Sequence, residues 1–72
     1  MSPASEIVVK DPDILAGTPV FRGTRVPLQA LLDYIEGGQT IDEFLDDFPA
    51  VRRESAVAAL EIAKSLLIEQ LG

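Results

Sequence analysis

The chain contains no cysteine and no histidine. Without cysteine there is neither a disulfide framework nor a thiolate metal site. Without histidine, the commonest general base and the commonest zinc ligand are both missing. General acid–base and nucleophilic routes lack their usual residues, so a non-enzymatic protein with no cofactor and no metal is expected. Long apolar runs are absent as well, so no segment is predicted to span a membrane. Met1-Ser2-Pro3-Ala4-Ser5 has neither the charged nor the apolar region of a signal peptide. A cytoplasmic protein is the expectation. Positive charge is scarce: six Lys and Arg stand against twelve Asp and Glu, a net charge of −6. Residues 27–72 carry three positive and nine negative side chains, so the excess acid lies in this later part. An acidic surface repels phosphate, and any DNA contact must come from a local basic patch. An acidic face also suits a basic protein partner.

What is present looks globular. Over 72 residues the hydrophobic fraction is 47%, with a mean hydropathy of +0.22. That is too apolar for a disordered tail. Such a length bounds the chain to one domain, residues 1–72, near the lower limit for a self-sufficient core. It holds more apolar surface than so short a chain easily covers, which favours a homodimer, a higher homo-oligomer or an obligate partner. Residues 1–5 are expected to be disordered, residues 6–26 to form a strand, a loop and a hairpin, and residues 27–71 to form three helices. The fold class is therefore mainly α, a small three-helix helix-turn-helix domain preceded by a short strand and a β-hairpin.

The most constrained stretch is residues 11–27, with three prolines, two glycines and two arginines. Pro19 and Pro27 fix φ near −65°, while Gly17 and Gly23 permit positive φ. Val20-Phe21 and Arg25-Val26 flank Arg22-Gly23-Thr24, which reads as a short hairpin with Arg22 and Arg25 near its tip. The plain alternative is that these arginines pair with local carboxylates, Arg25 with Asp33 or Glu36.

Pro27 then opens a helix in which Leu28, Leu31, Leu32 and Ile35 form one stripe, and Gly37-Gly38 stops it. Thr40-Ile41-Asp42-Glu43 is a capping box for the second helix. That helix repeats the stripe with Ile41, Phe44, Leu45 and Phe48 and ends at Pro49. The acids Asp42, Glu43, Asp46 and Asp47 read as a solvated face rather than a metal site. The third helix starts near Arg52 and runs to about Leu71. At ~100° per residue, Ala56, Leu60, Ala63, Leu67 and Leu71 form a core stripe. Ala59, Ile62 and Leu66 fall outside it, widening the apolar arc to roughly 240°. Either the strand and hairpin cover this second stripe, or Ala59, Ile62 and Leu66 meet another chain. Two helices joined at Phe48-Pro49-Ala50-Val51, with Arg52-Arg53 opening the later one, make a helix-turn-helix candidate. Arginines oppose the macrodipole at a helix start, which hints at an external role unless Glu54 simply neutralises them.

Together these residues resemble a known family. Asp11-Pro12-Asp13-Ile14-Leu15 and Gly17-Thr18-Pro19-Val20-Phe21-Arg22-Gly23-Thr24-Arg25-Val26-Pro27 are similar to the signature of the DUF433 family, a domain of unknown function. The likeness runs on through Leu31-Leu32, Gly38, the Thr40 box, Phe48-Pro49 and Ala58-Ala59-Leu60. The resemblance implies a homeodomain-like or winged helix-turn-helix fold. It also implies a VapB-like antitoxin of a type II toxin–antitoxin system, matched with a PIN-like ribonuclease toxin and repressing its own operon. Where the family usually has Ser or Thr as a helix N-cap, this chain has Arg52. On that reading Arg22 and Arg25 pair with the nuclease's carboxylate cluster. Arg52 and Arg53 then contact operator DNA, and Ala59, Ile62 and Leu66 supply a dimer or partner interface. A dimeric adaptor that touches no nucleic acid is the alternative.

Overall fold

Three interlocking hydrogen bonds decide how the chain enters its helices. A computed structural model describes residues 6–71, and the disorder expected of residues 1–5 lies outside that range. Strand β1 (Val8–Val9) pairs antiparallel with β2 (Val20–Phe21), Val8 opposite Phe21 and Val9 opposite Val20. The Phe21 N–H donates to the Val26 carbonyl at 2.9 Å, and the Arg22 N–H donates to the Ile7 carbonyl at 2.8 Å. Leu28 N–H closes the segment on the Pro19 carbonyl at 3.0 Å. The expected hairpin is present, but its second arm is a single bridge, Val20 to Pro27, not a strand. Pro27 has no N–H to give and its φ is fixed, so pairing stops there and the helix begins.

Helix α1 (Leu28–Glu36) follows, then α2 (Ile41–Asp47) and α3 (Arg53–Leu71). Gly38 ends α1 at φ +87°. Its N–H donates to the Ile35 carbonyl at 3.0 Å, and the Gln39 N–H reaches the Tyr34 carbonyl at 2.9 Å. This is the Schellman pattern, which needs a left-handed residue and so selects glycine. The capping box forms as read: the Glu43 N–H donates to Thr40 Oγ1 at 3.1 Å, and the Thr40 N–H donates to Glu43 Oε1 at 3.2 Å.

The core is centred on Phe21, Leu31, Phe44, Val51, Ala56 and Ala59. All four aromatic side chains of the sequence meet in one cluster. Phe44 is its hub, with ring centroids 6.2 Å from Phe21, 5.4 Å from Tyr34 and 5.0 Å from Phe48. Edge-on contacts such as Tyr34 against Phe44, at 80°, suit the ring quadrupoles. Tyr34 packs on the core while Ile35, expected in the α1 stripe, is 39% exposed.

The packing of α3 corrects the helical wheel. Ala59 was assigned to a partner face, yet it is buried in the protein's own core beside Ala56. Two alanines one turn apart let the α3 backbone approach the aromatic cluster closely. The expected core stripe fails past Leu60: Ala63 is exposed, Leu67 is 62% exposed and Leu71 82%. A 19-residue helix is about 28 Å long. Beyond Leu60 it is exposed except at Ile62, and the protein measures 36 × 29 × 19 Å along its principal axes. Among the described residues, no helix is long and apolar enough to cross a membrane.

Candidate functional site

The hairpin that carries Arg22 and Arg25 is held from within. Gly23, at φ +77°, allows the turn, and the Thr24 N–H donates to the Phe21 carbonyl at 3.0 Å. Thr24 Oγ1 donates to that same carbonyl at 2.8 Å and accepts from the Val26 N–H at 3.0 Å. Before the hairpin, the Asp13 N–H donates to Asp11 Oδ1 at 2.9 Å, and Leu15, Ala16 and Gly17 all have positive φ. Two non-glycine residues in the left-handed region cost strain that the surrounding bonds must offset. These bonds brace the turn from Phe21 to Val26, so the tip presents its side chains from a stiff frame.

Opposite the tip lies the turn between α2 and α3. The Val51 N–H donates to the Phe48 carbonyl at 3.0 Å, and the Arg52 carbonyl accepts from Ser55 and Ala56, each at 3.1 Å. Arg52 is thus the residue that caps α3, and its side chain offers no oxygen to the free N–H groups of the first turn. Between tip and turn runs a groove of about 370 Å³. Glu6, Phe21, Arg22, Gly23 and Thr24 line it together with Ala50, Val51, Arg52 and Ser55.

The pairing of arginines differs from that expected. The sequence grouped Arg22 with Arg25 and Arg52 with Arg53. In the structure, Arg22 and Arg52 share the groove, and Arg25 does not line it. Arg53 turns the other way and forms a salt bridge with Asp42 on α2. That hydrogen-bonded carboxylate raises the Arg53 pKa still further above its ordinary value. Its guanidinium is thus hydrogen-bonded within the protein while remaining more than half exposed. Among the described residues Arg25 makes no ion pair, so the pairing with Asp33 or Glu36 is not formed. Arg22 is exposed but already engaged within the protein.

Three of the four acids of α2 are engaged in structure. Asp42 holds Arg53, Glu43 closes the capping box, and Asp47 accepts the Tyr34 hydroxyl at 2.5 Å. This hydrogen bond, helped by desolvation and by the charges of Asp47 and Glu43, raises the Tyr34 pKa. Among the described residues no group of three or more acids is placed to hold a metal ion.

A second surface is apolar. Leu66, Leu67, Ile68 and Leu71 are each more than half exposed on the projecting end of α3. Leu66 belonged to the expected partner face; Ile62 is half-buried at its root. Ser55, Leu67, Ile68 and Leu71 were not singled out as site residues. The signal for Ser55 was its place one turn into a helix whose cap is arginine.

The signature and these elements coincide with a family model described as "Protein of unknown function (DUF433)", which matches residues 8–63. The chain belongs to this family. The DUF433 match spans the hairpin, α1, α2 and the packed half of α3, and it stops where the exposed apolar end begins. A relative described as "Uncharacterized protein y4eO", from Sinorhizobium fredii (strain NBRC 101917 / NGR234), is 41% identical over 54 residues. The matched stretch is 75% of this chain and 24% of that relative, so the chain spans about a quarter of the relative's length. No solved structure matches the chain.

Proposed function

We propose that this DUF433 chain is a VapB-like antitoxin that binds and silences a PIN-like ribonuclease in the cytoplasm, works as a homodimer or larger assembly, and represses its own operon. The observation that carries the reading is the bare apolar end of α3. Four large aliphatic side chains stand in water on a helix that has outrun its own core. Contiguous exposed apolar surface of this kind marks a protein interface. A second feature supports a nuclease as the partner. Arg25 stands exposed, with no ion pair among the described residues, on a stiff hairpin. Little backbone needs ordering when it binds. Its planar fork matches the carboxylates with which such nucleases hold their metals.

The DNA half of the reading rests on less. Arg53 is committed to Asp42, and the net charge of −6 opposes a polyanion. These two facts favour the alternative, a dimeric adaptor without nucleic acid. Co-expression with the PIN-like gene beside this one, when such a gene is there, separates them. An antitoxin restores growth and co-purifies with the nuclease, whereas an adaptor does neither.

A further inference from the structure

On a wheel at ~100° per residue, Val57, Glu61, Lys64 and Ile68 of α3 fall within about 60° of one another. This face is turned away from the core, which α3 meets through Ala56 and Ala59. Val57 is 40% exposed and Ile68 61%, and the side chains of Glu61 and Lys64 are more than half exposed. The order along the face is apolar, acid, base, apolar, each apolar residue one turn outside its charged neighbour. Such an order finds its complement when the helix is laid against a reversed copy of itself. Val57 then meets Ile68 of the second copy, Glu61 meets Lys64, and both contacts recur across a two-fold axis. Laid parallel and in register, the same face would set Glu61 on Glu61 and Lys64 on Lys64, and like charges so placed repel.

We propose that two copies of this chain pair antiparallel along this face of α3, with the two-fold axis between Ile62 and Ala63. This deepens the homodimer reading above and rests on it, adding the surface, the direction and the register. A nuclease needs no palindromic face, whereas an isologous pair does, since every residue contact in it must occur twice. The middle of the seam is charged. Within one helix Lys64 Nζ lies 3.3 Å from Glu61 Oε2. Two such pairs laid head to tail give four charges alternating in sign. Polar groups at seam positions fix register and direction at a cost in stability. The aliphatic layers on either side, Val57 with Ile68, bury the apolar surface that offsets this cost. One turn further out, Leu71 comes beside Glu54 of the second copy, so Leu71→Glu would set like charges there. Leu66 lies on the opposite side of the wheel, so the pairing leaves it open to a nuclease.

The test uses the full chain, which has no cysteine of its own. Val57→Cys and Ile68→Cys are made separately, then oxidised alone and as an equimolar mixture. A disulfide-linked dimer should form in the mixture and not in either variant alone. In the antiparallel pair, like positions stand about 16 Å apart along the helix, too far for a disulfide. Charge reversal reads the centre of the seam. Glu61→Lys should weaken self-association about tenfold or more, and so should Lys64→Glu, each with unchanged circular dichroism. Mixing these two variants should restore the dimer mass in light scattering, which loss of the pair within one helix does not predict. Either cysteine variant cross-linking with itself as fast as the mixture would mean parallel pairing and overturn the proposal. So would reversed variants that stay apart when mixed, or a dimer indifferent to both reversals. A monomeric wild type overturns the pairing together with the homodimer it rests on, whereas a dimer without the mixed cross-link overturns the pairing alone. Growth rescue reads nuclease silencing separately from both.

Discussion

The guanidinium of Arg53 is bound to the carboxylate of Asp42, tying the first turn of α3 to the first turn of α2. Both side chains remain more than half exposed, so solvent screens the pair and its contribution to stability is small. Its main effect is on direction: it takes one of the two adjacent arginines away from the groove and leaves Arg52 there. Arg53→Ala should therefore change the Tm very little, and that difference should vanish near roughly 1 M salt. Thermal melts at low and high salt check this. A large loss that persists in salt would mean that the Arg53 side chain packs rather than pairs.

Phe44 should be the least replaceable residue. It is fully buried and meets three other rings, from β2, α1 and the end of α2. Phe44→Ala removes a buried aromatic at a cost of about 3–5 kcal/mol. A core this small supplies about the same amount in total. The variant should be largely unfolded at room temperature, as read by far-ultraviolet circular dichroism. Cooperative urea unfolding near the wild-type midpoint would contradict the hub assignment.

Much of this was legible in the sequence, and the reasons are local. The Thr40-Glu43 box, the Gly37-Gly38 stop and the Gly23 turn are each set by residues within a few positions of one another, and all three form. What failed depended on distance. Periodicity places residues on a wheel but cannot say which way the wheel is turned, so Ala59 was put outside and Ile35 inside. Nor does it tell where the supporting body ends, which left Leu67 and Leu71 in an imagined core. The groove was invisible for the same reason, because Arg22 and Arg52 come to line it together only after β2 and α3 have packed.

Alkaline pH should loosen the α1–α2 contact. The Tyr34 hydroxyl donates to Asp47, and that bond, with desolvation and the nearby carboxylates, raises the tyrosine pKa in the folded state above the ordinary value of about 10. A group whose pKa is raised on folding contributes its stability fully below the unfolded value and loses it as pH climbs through the folded one. The Tm should be flat across neutral pH and fall above about pH 10. Tyr34→Phe should lower the neutral Tm and flatten that alkaline decline. An equal decline in both proteins would place the titrating group elsewhere.

The projecting end of α3 should govern assembly without governing the fold. Leu66 and Leu71 are 56% and 82% exposed, so replacing them removes little internal packing. Light scattering at micromolar concentration should give at least twice the 7.8 kDa chain mass. Leu66→Glu with Leu71→Glu should return a folded monomer of nearly unchanged circular dichroism. Ile62 is half-buried and is a poorer choice, because its loss would mix folding with association. A wild-type monomer, or a dimer untouched by the double substitution, would remove the apolar end from the interface.

The two hairpin arginines should separate, because the structure gives them different surroundings. Arg25 is exposed without an ion pair among the described residues, whereas Arg22 lines the groove with Arg52. If Arg25 enters the carboxylate cluster of a nuclease, Arg25→Ala should cost about 2–5 kcal/mol of complex stability, chiefly from the carboxylate left unpaired. The Tm of the free chain should not move. Growth rescue from a co-expressed PIN-like nuclease should then fail for Arg25→Ala and survive Arg52→Ala, which alters only the groove. Rescue lost in step with melting temperature would assign Arg25 to the fold. Rescue retained by Arg25→Ala but lost in the Leu66→Glu, Leu71→Glu protein would move the inhibitory contact wholly onto the end of α3.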